Sequence, residues 1–511
     1  MIADPKLFSE GKTFKTDVCI VGAGVAGITL AHELMGAGMR VCLLESGGLE
    51  PDRATQSLYW GENIGVPYYP LDVSRARFFG GSSNCWHVGI GGVNLGARLH
   101  PLEEMDFQER DWVPYSGWPF TKAHLDPYYE RAHSICHIGP YDYSPGYWED
   151  RALRPQLPFR GERVKTTIFQ FIQREVFFQE YRKEIEKAEN ITSLINSNVI
   201  EIETDPAAQR VTGLKVACLN GVRYQVTAKL FILAAGAIEI PRLLLLSNRV
   251  QKTGLGNQHD LVGRFFMEHP HLWSGVYIPA DKKAFNSSGL YSVHIANDVP
   301  VMGKLTLSAE VLQRERLLNY AVSIHPKLCT VPAHQAGRSH GDTGIKKKIY
   351  NKFKRTRAIK GFSLNHMSEQ APNPDSRVTL SDETDALGQK RVNLDWKLGP
   401  SDMRTILRAQ EIIDEDLCRV GLGRLHIEMR DESIPANITG GWHHMGTTRM
   451  NNDPKKGVVD QDCRIHGISN LFIAGPSVFP TCGYANPVLT IIALAIRLGD
   501  HTKKFMGSSG G

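Results

Sequence analysis

The hydrophobic pattern contains three transitions from a short apolar run, through glycines, into residues with helical spacing. The first starts at residues 17–21, passes glycines within 22–27, continues at 28–36, and is followed by a second apolar run at 41–44. Apolar runs at 229–234 and 470–474 end in the same way and lead into 240–246 and 488–497. A strand that turns through glycine into a helix is the repeating unit of a parallel sheet. The pattern therefore predicts an α/β, Rossmann-like nucleotide domain assembled from discontinuous segments.

The sequence between these units follows a different pattern. Residues 378–380 and 392–396 alternate between apolar and polar positions, which is typical of half-buried antiparallel strands. Helical spacing follows at about 402–420. Because a chain of 511 residues is long enough for two cores, we expect a second domain with an antiparallel sheet and flanking helices.

Composition narrows the class of protein. The chain has 42% apolar and 22% charged residues and a net charge of +5, which implies neither a nucleic-acid partner nor a membrane surface. The apolar run at 488–496 is about half the length of a transmembrane helix, and the run at 231–246 is interrupted by Glu239, Pro241 and Arg242. The N-terminus lacks a basic region followed by an apolar one, so a cytoplasmic location and no transmembrane segment are predicted.

Three smaller features complete this description. Nine cysteines without short repeats indicate reduced thiols and argue against an iron–sulfur cluster. The basic run at 346–355 is interpreted as a solvated surface, with a membrane-surface or partner helix as the alternative. Residues 507–511 look like a linker or tag remnant.

The first glycine turn has the pattern of a dinucleotide site. Gly22 permits a tight turn, Gly24 lets the backbone approach a pyrophosphate, and Gly27 lets the helix pack against the strand. The helix N-terminus then faces the phosphates with its free N–H groups. Glu45, at the end of the next strand, is placed to bind a ribose diol. This fingerprint fits FAD and NAD equally.

Further motifs lie at residues 77–86, 112–119, 125–129, 233–239, 262–270, 369–378 and 441–500. In their order along the chain, these motifs resemble the glucose–methanol–choline (GMC) oxidoreductases, FAD-dependent enzymes that act on alcohols and sugars. Within the family, the sequence His-His-Met-Gly-Thr-Thr-Arg-Met at 443–450 is similar to the pyranose oxidase and bacterial sugar dehydrogenase branch. The cofactor implied by this resemblance is FAD.

The resemblance also implies the catalytic pair. His443 corresponds to the family's catalytic histidine, and Asn486 corresponds to its second active-site position. A neutral imidazole can take the hydroxyl proton as general base while the alcohol carbon gives a hydride to flavin N5. An amide beside it can hold the same oxygen and orient the substrate. The neighbouring His444, and His269 and His271 on either side of Pro270, are interpreted as structural.

The remaining cofactor contacts follow from the same motifs. Loop residues 80–86 are expected beside the isoalloxazine, with Ser82, Ser83 and Asn84 supplying hydrogen bonds to the ring edge. Val199, Ala235 and Gly236 are expected on the adenosine side. The full predicted set is Gly22, Gly24, Ala26, Gly27, Glu45, Ser46, Arg77, Gly81, Ser82, Ser83, Asn84, Cys85, Trp86, Val199, Ala235, Gly236, Gly475, Asn486, Pro487 and Val488.

Cys85 is a departure from pyranose oxidase. Alignment on Trp86 puts this cysteine where some members carry a histidine bonded covalently to the flavin. We therefore expect noncovalent FAD, with a cysteinyl link as the alternative. No metal is predicted, because adjacent histidines project differently and no spaced third ligand accompanies His443 and His444.

The predicted activity is oxidation of a secondary alcohol of a sugar or glycoside to a ketone. The alternatives are a nonsugar alcohol, such as a sterol or natural-product intermediate, and a redox-neutral lyase with a spectator flavin. Oxygen, a quinone or a redox protein can take the electrons, and the oligomeric state stays open. The expected FAD-binding domain comprises 1–104, 193–270 and 440–506, and the substrate-binding domain comprises 105–192 and 271–439.

Overall fold

A computed structural model of the protein describes residues 1–5, 11–90, 93–152, 154–159, 163–332 and 355–508. The basic run at 346–355, apart from Arg355, lies outside the described residues, as do residues 509–511. The strands are β1 (Ile2–Ala3), β2 (Thr13–Lys15), β3 (Val18–Val21), β4 (Val41–Leu44), β5 (Gly61–Asn63), β6 (Val88–Ile90), β7 (Val93–Leu99), β8 (Val164–Gln173), β9 (Ile191–Leu194), β10 (Asn198–Thr204), β11 (Val211–Ala217), β12 (Arg223–Thr227), β13 (Leu230–Leu233), β14 (His271–Pro279), β15 (His294–Ala296), β16 (Val299–Leu307), β17 (Tyr320–Pro332), β18 (Arg355–Ser368), β19 (Arg377–Thr384), β20 (Lys390–Asp395), β21 (Gly423–His426) and β22 (Leu471–Ile473).

The α-helices are α1 (Val25–Glu33), α2 (Arg53–Gln56), α3 (Glu104–Phe107), α4 (Lys122–Cys136), α5 (Pro145–Ala152), α6 (Arg182–Lys187), α7 (Gly236–Leu246), α8 (Lys282–Asn286), α9 (Ala309–Glu315), α10 (Pro400–Arg419) and α11 (Val488–Ser508). Short 3-10 turns occur at Ser57–Tyr59, Gly81–Cys85, Gly289–Tyr291 and Pro476–Val478, and a π-helix spans Val176–Tyr181. Among the described residues, none of the helices combines the length and apolarity that crossing a bilayer requires.

The nucleotide domain is built on a parallel sheet with the strand order β1-β9-β4-β3-β13-β22. Its three central strands β4, β3 and β13 are buried at every position, as expected of a sheet covered on both faces. Helix α11 packs against α1 and α4 and brings the C-terminal segment back to the first glycine turn. The predicted α/β class and its discontinuous nucleotide domain are confirmed.

The second domain contains a large sheet with the strand order β21-β14-β18-β17-β16-β8-β7-β6 and β15 paired to β16. Strands β19 and β20 pair with each other as predicted, but they form a small separate sheet with β5. The predicted helix, α10, lies against the large sheet instead of beside these two strands. The large sheet gives little alternation in sequence, because strands such as β16 are buried on both faces.

One face of the large sheet packs on α10, and the other looks toward the nucleotide domain. Residues opposite each other in antiparallel strands share a face, so the register places Arg98 with Phe171, and Ala321 with Met367 and His271. Ala321 and Met367 pack against Tyr484, which precedes the predicted catalytic residue Asn486 by two positions. We call this side of the sheet the site face.

The predicted domain boundaries stay a prediction. Strand β7 lies within 1–104, the first segment predicted for the FAD-binding domain, but it belongs to the large sheet of the second domain.

Candidate functional site

The first glycine turn joins β3 to α1 and leaves little room. Gly22 has φ +108°, a conformation that glycine alone adopts readily. A Cβ on Gly27 would lie 1.8 Å from the carbonyl oxygen of Gly22, so a side chain there would separate helix from strand. A Cβ on Gly24, in contrast, would meet nothing within 4 Å. Gly24 therefore borders open space at the N-terminus of α1.

That space is part of a cavity of about 560 Å³. It extends from the glycine turn to His443, and its polar lining at the turn fits the dinucleotide cofactor predicted there. The predicted residues that line it are Gly22, Gly24, Ala26, Glu45, Ser46, Arg77, Gly81, Ser82, Ser83, Cys85, Trp86, Val199, Ala235, Gly236, His443, Gly475, Asn486, Pro487 and Val488. Gly27 and Asn84 are not among the lining residues.

Glu45 forms part of the cavity wall at the end of β4. Its Oε2 accepts a hydrogen bond from the backbone N–H of Ala23 at 2.9 Å, and its Oε1 accepts one from the N–H of Gly47 at 2.8 Å. Burial raises the pKa of this carboxyl, while the two backbone donors act in the opposite direction. These bonds fix the carboxyl group against the wall, so that little conformational freedom is lost when a diol binds.

The loop at 80–86 holds its own shape through hydrogen bonds. The Ser83 hydroxyl donates to the carbonyl of Gly80 at 2.6 Å, and the Asn84 amide donates to the carbonyl of Gly81 at 2.8 Å. The side chains of Ser83 and Asn84 thus donate these hydrogen bonds to the loop backbone, whereas the sequence predicts that they donate to the edge of the isoalloxazine ring. Cys85 faces the cavity, and burial raises the pKa of its thiol.

A buried ionic cluster beside the cavity was not expected from the sequence. Glu239 forms ion pairs with Arg75 at 2.8 Å, with Arg77 at 3.2 Å and with Arg242 at 3.1 Å. Burial raises the pKa of Glu239, but the three guanidinium groups outweigh it and lower the pKa to about 2. The cluster fixes the predicted residue Arg77 in position, with its positive charge offset by Glu239.

The structure brings His443 and Asn486 together at the opposite end of the cavity. The Asn486 amide Nδ2 lies 3.0 Å from His443 Nε2, and Asn486 Oδ1 is buried without a hydrogen-bond partner. Burial, followed by the nearby His269, His271 and His444, lowers the pKa of His443 well below its ordinary value. The imidazole is therefore neutral at physiological pH.

His269, which the sequence suggests is structural, lies in direct contact with His443 and positions it. The two Nδ1 atoms are 2.8 Å apart, and His269 Nε2 lies 2.9 Å from the carbonyl oxygen of Gly483. A carbonyl only accepts, so Nε2 of neutral His269 carries the proton and its Nδ1 accepts from His443 Nδ1–H. This chain of hydrogen bonds leaves the lone pair of His443 on Nε2, the atom that faces Asn486.

Glu268 supports the same histidine through its backbone. Its carboxylate accepts the N–H of His443 at 2.8 and 3.0 Å and the N–H of His269 at 2.8 Å. It also accepts the hydroxyl of Tyr68, which lies 2.9 Å from His444 Nε2. His444 is thus connected to the predicted base, His443, through Tyr68 and Glu268.

Among the described residues, Glu268, His269 and His443 place one potential ligand atom each within 4.8 Å of one another. The 2.8 Å spacing of the two ring nitrogens is that of a hydrogen bond. Two nitrogens bound to one tetrahedral zinc would be separated by about 3.3 Å. We interpret this group as the support of His443.

Buried titratable groups predict the pH dependence of stability. Burial lowers the pKa of His100, His269, His271, His366, His443 and His444. Burial raises the pKa of Asp106, Glu268 and Asp402 to about 7. Below about pH 6.5, these histidines bind protons in the unfolded chain but stay neutral in the folded protein, so acid destabilises the folded state. The three carboxyls have the opposite effect, because they stay protonated in the folded protein at a pH where the unfolded chain releases those protons. Since the histidines outnumber the carboxyls, the net effect of acid is destabilisation.

We therefore expect the Tm to fall by on the order of 5 °C between pH 7.5 and pH 5.5. Differential scanning calorimetry of the cofactor-loaded protein at constant ionic strength measures this change. His366→Gln, which removes one buried imidazole, should reduce the slope. A Tm that rises toward pH 5.5 would show that the carboxyls dominate.

Comparisons with known proteins agree with this geometry. A family model of the GMC oxidoreductases matches residues 372–495, and a model of the FAD binding domain matches residues 15–50. The chain is 27% identical to the fructose dehydrogenase large subunit of Gluconobacter japonicus, over 96% of this chain and 98% of that protein. It is 25% identical to 6'''-hydroxyparomomycin C oxidase of Streptomyces lividus, over 94% of this chain and 90% of that protein.

The fold has counterparts among solved structures. Pyridoxine 4-oxidase from Mesorbium loti matches 95% of this chain and 98% of its own with a TM-score of 0.56 at 19% identity. The family matches cover both ends of the cavity, namely the glycine turn at 15–50 and the segment that carries His443 and Asn486. The resemblance seen in the sequence is confirmed: the chain matches the GMC oxidoreductases over residues 372–495 and an FAD binding domain over residues 15–50, and it is an FAD-binding oxidoreductase similar to relatives that act on alcohol groups.

Proposed function

We propose that the protein oxidises a secondary alcohol of a sugar or glycoside to a ketone, with His443 as general base and Asn486 as its partner. The observation that carries this proposal is the lone pair on His443 Nε2, which faces the Asn486 amide in the same cavity that begins at Gly24. When bound, FAD supplies the oxidised ring that accepts the hydride from the alcohol carbon.

The side chains account for the movement of the proton. A substrate hydroxyl that enters between His443 and Asn486 donates its proton to Nε2, while Asn486 Nδ2 donates a hydrogen bond to the substrate oxygen. The alcohol thus loses a proton from oxygen and a hydride from carbon and becomes a ketone. The Glu268 carboxyl has an oxygen within 4.8 Å of an imidazole nitrogen of His443, so its ionised form favours the imidazolium that forms.

The site face supports a polar substrate over an apolar one. His271 Nε2, His325 Nε2 and Asn365 Oδ1 are buried atoms without hydrogen-bond partners, and buried polar atoms are rarely left so. Trp273 on the same face is half exposed, and its ring lies 5.0 Å from that of His325. Convergent polar groups beside an aromatic ring favour a sugar over a sterol-like alcohol. The 27% identity to a fructose dehydrogenase points the same way.

Noncovalent binding of FAD is part of this proposal. A thiol must ionise before it can act as a nucleophile, and burial raises the pKa of Cys85. Acid precipitation is therefore expected to release the yellow colour into the supernatant. Colour retained on the precipitate would establish a covalent link.

An anaerobic screen tests the function directly. The holoenzyme is mixed with monosaccharides, glycosides and nonsugar alcohols, and absorbance of the oxidised flavin is followed before and after oxygen is readmitted. We expect bleaching by sugars or glycosides, and the rate of recovery in oxygen distinguishes an oxidase from a dehydrogenase. Bleaching by nonsugar alcohols alone would overturn the substrate class. Turnover without bleaching would indicate a lyase.

A further inference from the structure

Two basic side chains on the site face, Arg98 and Lys304, have no oxygen or nitrogen acceptor among the described residues. Arg98 lines the cavity beside His443, and its guanidinium forms neither a hydrogen bond nor an ion pair with the described part of the chain. Its Nε is buried and without a hydrogen-bond partner. The two other arginines that line the cavity, Arg75 and Arg77, are both paired with Glu239, at 2.8 and 3.2 Å.

Lys304 is the second of these side chains and is only 2% exposed. Its Nζ lies 3.9 Å from the sulfur of Met367 and 4.3 Å from the centre of the Phe169 ring. Neither neighbour is a strong acceptor, and the described residues place no carboxylate oxygen within ion-pair distance of Nζ. A buried ammonium group in such surroundings is costly unless a negative group joins it.

The two cations act on one space. Burial, followed by Arg98, lowers the pKa of Lys304 well below its ordinary value, and Lys304 in turn contributes to lowering the pKa of His443. His271 and His325 on the same face are influenced by both Arg98 and Lys304. The geometry of the sheet agrees, because Arg98 lies opposite Phe171 of β8 and Lys304 Nζ lies over the ring of Phe169, two residues away on the same face of that strand. Phe169 packs with Met367 and with Tyr484, which precedes Asn486 by two positions, and the Glu268 carboxyl is already occupied by backbone donors.

From this arrangement we infer that the physiological substrate is an acidic sugar or glycoside, whose carboxylate is bound by Arg98 and Lys304 while its secondary hydroxyl faces His443. The inference rests on the proposed function, since it names the substrate of the same site. A guanidinium offers two parallel N–H donors to the two oxygens of a carboxylate, and a nearby ammonium adds a third. One guanidinium and one ammonium suit the single charge of a carboxylate, whereas a phosphate dianion calls for more donors.

The test compares matched substrates on the holoenzyme. Anaerobic flavin reduction is measured by stopped flow with glucuronate, its uncharged methyl ester, glucose and glucose 6-phosphate, together with the corresponding galactose series. We expect the uronates to exceed their methyl esters and the neutral sugars by at least about 10-fold in the rate constant divided by the dissociation constant. Faster reduction by neutral sugars or by sugar phosphates than by uronates would overturn the inference, yet it would leave sugar oxidation intact.

Variants test whether Arg98 and Lys304 cause the expected preference for uronates over their methyl esters. Arg98→Gln and Lys304→Met are each expected to lower the ratio of uronate to methyl ester by about 10-fold or more. Arg430→Gln and Lys283→Met, two exposed positions, serve as matched controls that should keep the ratio. FAD content and Tm of each variant verify folding. An equal loss with acids and esters would assign the two cations to another role and overturn the inference.

Calorimetric binding separates this inference from the proposed function. Glucuronate and its methyl ester are titrated into oxidised wild-type holoenzyme and into Arg98→Gln without turnover. Tighter binding of the acid, lost in the variant, supports the anion site even if no sugar reduces the flavin, a result that would refute the oxidation itself. Equal binding of acid and ester would refute the anion site whatever the outcome of the reduction assay.

Discussion

Replacement of His443 by alanine is expected to slow flavin reduction by substrate about 10³-fold while the protein stays yellow. General-base catalysis contributes about 10² to 10⁴ to such reactions, and His443 carries the lone pair that faces Asn486. The predicted phosphate contacts belong to the glycine turn and not to His443, so FAD content should not change. Stopped-flow reduction under anaerobic conditions measures the rate, and the absorbance ratio at 450 and 280 nm measures bound flavin.

Two controls test whether the slower reduction results from loss of the His443 imidazole. Added imidazole should restore part of the rate in His443→Ala, because the cavity left by the side chain admits a free base. His259→Ala changes an exposed histidine and should reduce its flavin at the wild-type rate. A His443→Ala enzyme within about 10-fold of wild type would assign the proton to another group, since loss of a general base costs more than that.

Local sequence signals predicted one half of the architecture well. The strand, the glycines, the helix and the acid at Glu45 lie within 29 consecutive positions, so their relation is fixed by the geometry of a single βαβ unit. The same holds for the apolar runs that form β13 and β22, each of which is followed within three residues by a glycine. Patterns of this kind predict structure well because the contacts involved join residues that are close together in the sequence.

The large sheet could not be derived in the same way. Strands such as β16 and β8 are buried on nearly every position, so they lack the alternation that distinguishes half-buried strands. In the second domain, the sequence predicts only the two strands with visible alternation, β19 and β20, and they belong to a smaller sheet. Their pairing is local, whereas the position of α10 depends on which of two sheets offers the larger apolar face.

The support of the predicted catalytic histidine, His443, depends on contacts between distant residues. His269 is 174 positions from His443, and the backbone carbonyl that fixes its tautomer belongs to Gly483. A sequence carries no signal for such a relay, although His269 lies in one of the stretches that resemble the family. Lys304 did offer a signal, a lone basic residue within the apolar strand 299–307, and only the structure shows that its Nζ contacts a sulfur and no carboxylate among the described residues.

Gly24→Ala and Gly27→Ala are expected to fail in different ways, although each adds one methyl group to the same turn. A methyl at Gly27 would lie 1.8 Å from the Gly22 carbonyl oxygen, which forces α1 away from β3. We expect little folded protein, or a Tm lowered by more than about 10 °C, because overpacking of a rigid backbone contact is costly. A methyl at Gly24 meets no protein atom within 4 Å but enters the cavity.

Gly24→Ala should therefore fold normally as apoprotein, with a Tm within about 2 °C of wild-type apoprotein, and lose at least about 10-fold in affinity for FAD because the methyl occupies the approach to the pyrophosphate. Gly146→Ala, an exposed glycine with equally open surroundings outside the cavity, is the matched control and should retain full colour. Flavin absorbance after reconstitution and calorimetry of the apoproteins measure the two effects separately. Normal FAD binding by Gly24→Ala would mean that the phosphates do not approach this turn, and the placement of the cofactor along the cavity would have to be abandoned.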